Sequence, residues 1–383
     1  MQSRLQTVLL LVLTGAVGRL VYADVRATQA RDAAVSNAEA LLAQGLAACE
    51  AGNGPACADT CGRGLARLPA AFDSALADRL TGCADRAVAV VAVSRGMPSP
   101  EADPAAQERL GLVRDRLDQD ADPGARALGA ALDVALLRNA GALVAARVRL
   151  EKAAKDTLDS PWLQWQSGLV ALADARLADA NAALERVVKA LPDFGPGWHQ
   201  IGLTYLALDR RDTAIAALRK AQGLTDDPQV ALDLARAFLA GQLWAEAISP
   251  LEAVLRGRPS EIDAVRLLGL ANHNLGRHQA AAELYHKAWL LDRQPRTRLS
   301  EAISLQSAGQ HTAALDALTS LLPQLDQVPE ALFLRAGVLA DLGRPAESRA
   351  DYERYLTVAR GLPDEAERVK LAEARIAPVP PAP

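Results

Sequence analysis

Aromatic residues are scarce in this chain of 383 residues, and clusters of basic residues are missing. Tryptophan, tyrosine and phenylalanine together make up 4% of it, and the formal net charge is −4 without a cluster of lysine or arginine. Aromatic and β-branched residues suit a pleated sheet, and beyond scattered valines they are thin here, which predicts almost no strand. A weakly acidic chain without a basic stripe creates no field to gather nucleic acid or anionic lipid, so we expect no nucleic-acid partner.

The motifs of several common enzyme classes are missing as well. The chain has no G-x-x-x-x-G-K-[ST] loop, no G-x-G-x-x-G after a strand, no H-E-x-x-H and no G-x-S-x-G. His278 and His286 lie eight apart, with Glu283 between them at the wrong spacing for a metalloprotease. The sequence therefore predicts that the protein is not an enzyme and needs no cofactor or metal.

Alanine and leucine dominate what is there. Half of the residues are hydrophobic. Alanine and leucine, like arginine, glutamate and glutamine, are strong helix formers. The composition predicts an all-α protein with a substantial core.

The first 23 residues have the composition of a targeting segment. Arg4 precedes an apolar run from Thr7 to Val17, and "VYA" at 21–23 fits a cleavage site. This pattern favours a secretory signal and hence the periplasm or cell envelope of a bacterium. The alternative is an uncleaved inner-membrane anchor. Arg19 argues against an anchor, because its charge would lie within the apolar segment that would have to span the bilayer.

All four cysteines, Cys49, Cys57, Cys61 and Cys83, fall in one early segment. An even, clustered set in an exported chain favours two disulfides. The turn "EAGNGPA" favours Cys49 with Cys57 across antiparallel neighbours, and Cys61 with Cys83 across the next turn. A metal site has the three-residue gap between Cys57 and Cys61 in its favour, but no second close pair and no nearby histidine.

An internal repeat of 33 or 34 residues organises the second half of the chain. The pattern of large and small residues is clearest from Trp198 and returns twice downstream in the same order. Another copy lies upstream around Gly168, and two further copies lie downstream around Ala314 and Ala336, which makes six units. The first copy contains Trp198, Gly202, Tyr205, Ala214 and Leu218; the second Ala231, Ala235, Phe238, Ala247 and Leu251; the third Val265, Gly269, Asn272, Ala281 and Tyr285.

This spacing and the residues around Trp198 resemble the tetratricopeptide repeat, whose unit is a pair of antiparallel helices. The resemblance implies a right-handed α-solenoid of such pairs, preceded by a disulfide-bearing helical segment. Gly202, Gly269 and Ala235 are expected to be small because a second helix crosses close to them. Gly276, Gly309 and Gly343 are expected in left-handed turns, with Asp209 in their place in one unit.

Boundaries follow from the pattern. They are a signal or anchor at 1–23, a cysteine-bearing helical subdomain at 24–123, a degenerate helical pair at 124–160, six repeats at 161–194, 195–227, 228–261, 262–294, 295–328 and 329–362, a capping helix at 363–376, and a proline-rich tail at 377–383.

The resemblance also implies where a partner would bind. In the family, the first helices of the units line a concave groove that takes a peptide or a partner helix. The corresponding positions are Trp165, His199, Leu203, Leu232, Arg236, Leu239, Arg266, Leu270, His273, Asn274, Leu299, Gln306 and Phe333. Arg236 and Arg266 are expected to pair with carboxylates of the partner.

Two functions are compatible with these features. The first is a non-catalytic scaffold of the cell envelope that organises a secretion, polymer-export or assembly complex. The alternative is a regulatory or processing factor whose cysteine-bearing N-terminal subdomain carries chemistry, while the repeats select its substrate.

Overall fold

The computed structural model describes residues 33–49, 51, 56–57, 59–61, 63, 74–95, 102–156, 160–324 and 328–377. Within these ranges every regular element is a helix and none is a strand. The predicted all-α architecture of antiparallel helix pairs is therefore confirmed. The chain divides into two compact units, Met1–Leu208 and Asp209–Pro383.

The first unit has eight labelled helices. They are α1 (33–49), α2 (Ser74–Arg95), α3 (Pro104–Asp118), α4 (Pro123–Asn139), α5 (Leu143–Asp156), α6 (Pro161–Ala173), α7 (Leu177–Ala190) and α8 (Gly195–Ala207). From α2 onward, each helix packs against the next along the chain, and α4 also packs against α2 and α6. Helical pairs thus stack through their first members, as repeats do.

The N-terminal core of this unit is closed by two disulfides. Cys49 is joined to Cys57 with 5.0 Å between their Cα atoms, and Cys61 to Cys83 with 5.8 Å. This is the pairing that the sequence favours. The bridges lie among apolar side chains of α1 and α2, including Leu42 and Leu80. They link helices in a segment whose apolar core is small.

The second unit continues the same construction. Its helices are α9 (Arg211–Leu224), α10 (Pro228–Ala240), α11 (Trp244–Gly257), α12 (Ile262–Asn274), α13 (His278–Asp292), α14 (Pro295–Ser307), α15 (His311–Thr319), α16 (Glu330–Asp341), α17 (Pro345–Ala359) and α18 (Ala366–Ile376). Neighbours in sequence pack together, and α10 also contacts α12 as α14 contacts α16.

Left-handed residues turn the chain between the two helices of a pair. Gly276, Gly309 and Gly343 have φ of +74°, +74° and +70°. Asp209 takes the same conformation at φ 55°, as expected from the sequence. Gln242, with φ 59°, occupies the equivalent turn between α10 and α11. Glycine adopts this region without steric cost, so Gln242 carries a backbone penalty that the glycines avoid.

Small residues mark the points where paired helices cross. A Cβ added at Gly168 would lie 2.9 Å from Cγ of Leu184 on α7, and one at Gly269 would lie 3.1 Å from Cε1 of Tyr285 on α13. Ala235 is fully buried. The close crossing expected at Gly269 is thus present, and a larger side chain there would overpack it.

An aspartate cap followed by a proline defines the start of several helices. Asp227 precedes Pro228, and its side chain accepts a hydrogen bond from the backbone N–H of Gln229 at 2.9 Å. Such a cap satisfies one of the N–H groups that the first turn leaves unpaired. Asp122 caps α4 in the same way through the N–H of Gly124. Asp227 therefore acts at a helix start, as its junction position suggests.

Some predicted features fall outside the described ranges. The signal or anchor at 1–23 does so entirely, as do residues 378–383 of the proline-rich tail. Among the helices that are described, none combines the length and apolarity needed to cross a bilayer.

Candidate protein-binding face

In the second unit, polar side chains connect the first helices of successive pairs. Nη2 of Arg236 on α10 lies 2.8 Å from Oδ2 of Asp263 on α12. Nδ1 of His273 on α12 lies 3.0 Å from Oγ of Ser304 on α14. These bridges hold the first helices side by side and define one surface, which we call the first-helix face: the solvent-facing side of α10, α12, α14 and α16.

The bridging continues to the last pair. Nε2 of Gln306 on α14 donates to Oδ2 of Asp341 on α16 at 3.4 Å. Phe333 on α16 is half-buried and contacts the rings of Tyr352 and Tyr355 on α17, with centroids 5.6 and 5.5 Å away. The face is thus fixed both between first helices and onto a second helix.

Five charged residues form a ladder across α10, α12 and the end of α13. Arg236 reaches Asp233 at 2.7 Å as well as Asp263, and Arg266 reaches Asp263 at 2.7 Å and Asp292 at 3.5 Å. We call Asp233, Arg236, Asp263, Arg266 and Asp292 the charge ladder. Each guanidinium therefore has two carboxylate partners within the chain.

The two arginines favour the charged form of Asp263. The hydrogen bond from Arg266, followed by the attraction of both arginines, lowers the pKa of Asp263 below its ordinary value. The side chains of Asp233 and Asp292 are each only 9% exposed. Asp233 also accepts a hydrogen bond from Gln229, and Asp292 accepts one from Thr297, so both carboxylates belong to a wider network within the fold.

An open cleft lies beside the ladder. It has a volume of about 560 Å³ and is lined by Ser260, Glu261, Ile262, Asp263, Arg266, Asp292 and Gln294. Three of the lining side chains are acidic and one is basic, so the cleft has an acidic character.

Comparison with known proteins agrees with the repeat geometry. The tetratricopeptide repeat family matches residues 199–262, 232–295 and 299–366. The chain contains tetratricopeptide repeats. The matched segments include α10 to α17, which carry the whole first-helix face.

Curated relatives share a limited region. A cytochrome c-type biogenesis protein, CycH of Pseudomonas aeruginosa, is 31% identical over 115 residues, which are 29% of this chain and 28% of that protein. The BBSome complex member BBS4 of mouse is 29% identical over 142 residues, covering 36% of this chain and 27% of its own length. The chain thus matches between a quarter and a third of the length of each.

Among solved structures, the chain is similar to a tetratricopeptide repeat protein from Parabacteroides merdae. The TM-score is 0.46 with 11% identity, over 65% of this chain and 98% of that one.

The structure distributes the thirteen predicted groove residues over three environments. Four are buried between helices: Trp165, Leu232, Leu239 and Leu299. Seven are partly exposed: His199, Leu203, Arg236, Arg266, His273, Gln306 and Phe333. Leu270 and Asn274 are exposed on α12. Trp165, His199 and Leu203 belong to the first unit. Ten of the thirteen lie on first helices of the second unit, and seven of these ten are at least partly exposed on the first-helix face.

Trp165 contributes to packing in the first unit. Its indole N–H donates to the carbonyl oxygen of Val93 on α2 at 2.8 Å, and its ring meets Phe194 edge-on with centroids 5.2 Å apart. The end of α2 therefore covers the position that this tryptophan would present to a ligand. The spacing within a repeat could not predict this contact, because Val93 lies 72 residues before Trp165 and outside the repeat.

His273 and His278 form a close pair at the rim of the face. Their ring centroids are 4.9 Å apart, and the ring planes are inclined by 61°. Burial, with a further contribution from His278, lowers the pKa of His273. The neutral imidazole of His273 is thus favoured beside Ser304.

The residues that sequence reasoning missed are the partners. Asp263 stands three residues before Arg266, a spacing that allows an ion pair on one helix face. Asp292 comes from α13, the second helix of the pair that carries Arg266, whereas Ser304 and Asp341 come from the helix pairs that follow those of His273 and Gln306. Only the packing of the helices brings these partners within reach.

Proposed function

We propose that the first-helix face of the second unit binds an extended peptide or a helix of a partner protein, and that the protein acts as a non-catalytic scaffold. The observation that carries this proposal is the row of first helices in tandem tetratricopeptide repeats, joined side by side, with Leu270 37% exposed at its centre. An exposed leucine beside the amide of Asn274 offers both apolar and hydrogen-bonding contact.

The charge ladder refines the kind of partner. Arg236 and Arg266 already bind carboxylates of the chain, so an acidic tail would have to displace Asp233, Asp263 or Asp292. With three carboxylates and two guanidiniums, the ladder is formally acidic by one charge. A neutral or basic peptide therefore suits this face better than an acidic one.

Two features support a place in the cell envelope. Two disulfides persist best in an oxidising compartment, and the N-terminal segment has the composition of a secretory signal. The name of the Pseudomonas aeruginosa relative, a cytochrome c-type biogenesis protein, supports a role in assembling other proteins.

Cross-linking and affinity purification from envelope extracts test the proposal. The wild-type chain is compared with Leu270→Asp, which puts a charge on the first-helix face. The matched control is Leu290→Asp, since Leu290 is 49% exposed on the second helix α13. Capture of the same partner by wild type and Leu290→Asp, with loss in Leu270→Asp and cross-links on α10 to α16, is the expected result. Equal capture by both variants would refute the assignment.

A further inference from the structure

The four cysteines meet in one buried core of the first unit. Cys57 and Cys61 are fully buried, Cys83 is 1% exposed and Cys49 is 5% exposed. The Sγ atoms of Cys49, Cys57 and Cys61 all lie within 4.8 Å of one another, and Cys83 is bonded to Cys61. The two disulfides are therefore neighbours, and four sulfur atoms share one small volume.

This arrangement also fits a tetrathiolate metal site. Zinc binds thiolates at about 2.3 Å in a tetrahedron, which places the sulfurs of one site roughly 3.8 Å apart. Three sulfurs within 4.8 Å already lie on that scale. Cys57 and Cys61 are four residues apart in a helical stretch, a spacing within the range that zinc ligands use.

Helix α1 packs closely against two of the sulfurs. A Cβ at Gly45 on α1 would lie 2.6 Å from Sγ of Cys61 and 3.0 Å from Sγ of Cys83. Glycine at this position therefore allows the close approach, which a larger residue would block.

Arg86 supplies a second, independent observation. Its Nη atoms reach Asp120 and Asp122 at 3.4 and 2.9 Å, but its buried Nε has no hydrogen-bond partner among the residues that the structure describes. Arg86 and Cys83 line the same cleft, of about 370 Å³. A disulfide sulfur is a weak acceptor, whereas a thiolate accepts a charge-assisted hydrogen bond. A thiolate at Cys83 would share this cleft with the positive charge of Arg86, which would stabilise it.

We propose that the reduced form of this core binds one Zn²⁺ through the thiolates of Cys49, Cys57, Cys61 and Cys83. Each disulfide first accepts two electrons and two protons from a dithiol, which is itself oxidised to a disulfide. Zn²⁺ then binds the four sulfurs as their four protons are released. The metal and the two disulfides are alternative cross-links of the same four positions.

Zinc titration of the full chain tests this proposal. One sample is reduced anaerobically with a phosphine, freed of reductant and titrated with Zn²⁺ against a chromogenic chelator; the other is kept oxidised. We expect one zinc per reduced chain and none per oxidised chain. Cobalt replaces zinc as a spectroscopic probe, and thiolate-to-cobalt charge-transfer absorption of four thiolates is expected.

Variants separate this site from other ligands. Cys57→Ser should abolish stoichiometric binding, and Arg86→Met should weaken it by roughly tenfold while keeping one zinc per chain. The paired control His273→Gln with His278→Gln removes the close histidines of the second unit and should leave the stoichiometry and affinity of zinc binding unchanged.

Alkylation keeps the proposal testable if Cys57→Ser does not fold. In the reduced wild-type chain, Zn²⁺ should protect all four cysteines from iodoacetamide together, as read by peptide mass spectrometry. Equal alkylation with and without zinc, or no more zinc on the reduced chain than on the oxidised one, would overturn the proposal.

Discussion

Nη2 of Arg266 lies 2.7 Å from Oδ1 of Asp263, three residues earlier on the same helix. Asp263 also accepts from Arg236 of the preceding repeat, so this single carboxylate joins two first helices. The two arginines lie at predicted groove positions, but their ion pairs with Asp263 connect neighbouring repeats. A ligand carboxylate would have to compete with these ion pairs.

Replacing Arg266 by methionine should destabilise the second unit modestly. Arg266 and Asp263 are 40% and 43% exposed, so solvent screening limits the loss to about 1 kcal/mol in the free energy of unfolding. Urea denaturation at neutral pH measures it. Arg349→Met, which breaks an exposed pair with Glu353, is the control and should cost about 0.3 kcal/mol.

The same variant has a predicted pH dependence. The pKa of Asp263 is lowered in the folded state, so its contribution is fully present above the pKa of the unfolded chain, about 3.9. It is lost as the pH falls through the lower folded pKa. The difference between wild type and Arg266→Met should therefore shrink below about pH 4. A difference that grows on acidification would contradict the ladder.

Gly269→Ala should destabilise the pair α12 and α13. The new Cβ would meet the ring of Tyr285 at 3.1 to 3.3 Å, and overpacking of this kind costs about 1–3 kcal/mol. Thermal unfolding is the measurement. Gly223→Ala is the matched control: nothing lies within 4 Å of its added Cβ in α9, and alanine should stabilise that helix by about 0.5–1 kcal/mol.

Tyr285 should make the protein sensitive to alkali. Burial raises its pKa to about 12, so the neutral phenol is favoured in the folded chain. That contribution is present below the pKa of the unfolded chain, about 10, and is lost as the pH rises through the folded value. Stability should decline between these values, and Tyr285→Phe should reduce the decline. Identical alkaline profiles would exclude a role for this hydroxyl.

Opposite effects are expected at two equivalent turns. Gln242→Gly should stabilise the second unit by about 1 kcal/mol, because glycine adopts φ 59° without the left-handed penalty. Gly276→Ala, with φ +74°, should destabilise it by a similar ~1 kcal/mol. Chemical denaturation of both variants decides this, and the same sign for both would show that the turns do not share one geometry.

The turns also show how far sequence carries the structure. Gly276 and Gly309 indicate a left-handed turn, because few other residues adopt this conformation without a steric penalty. Glutamine does not indicate such a turn, so the left-handed conformation of Gln242 follows only from its position within the repeat. Helix pairs and their crossings were predictable because each depends on residues about 16 apart, such as Gly269 and Tyr285.

The binding face was predictable only in outline. Register places Leu270 and Arg266 on a first helix, but it cannot give the reach of Asp292 from the following helix. Burial separates Leu239 from Leu270 although both hold groove positions, because burial depends on how neighbouring helices pack.

Trp165→Phe should destabilise the first unit by about 1 kcal/mol, because it removes the donor to the Val93 carbonyl while keeping an aromatic ring. Hydrogen exchange at the end of α2 reports the loss locally. The control is Trp198→Phe, which removes a hydrogen bond to Pro192, only six residues away, and should leave exchange in α2 unchanged.

The bond between Trp165 and Val93 gives the first unit an order of assembly. In the second unit, the polar links between neighbouring first helices span 27 to 35 residues, so structure can spread along the growing chain. The link to Val93 spans 72 residues. At a synthesis rate of about 5–20 residues per second, Val93 is made roughly 4 to 14 seconds before Trp165. During that interval the end of α2 lacks its contact with Trp165. In a nascent chain that ends before α6, the end of α2 is therefore exposed to chaperones and proteases.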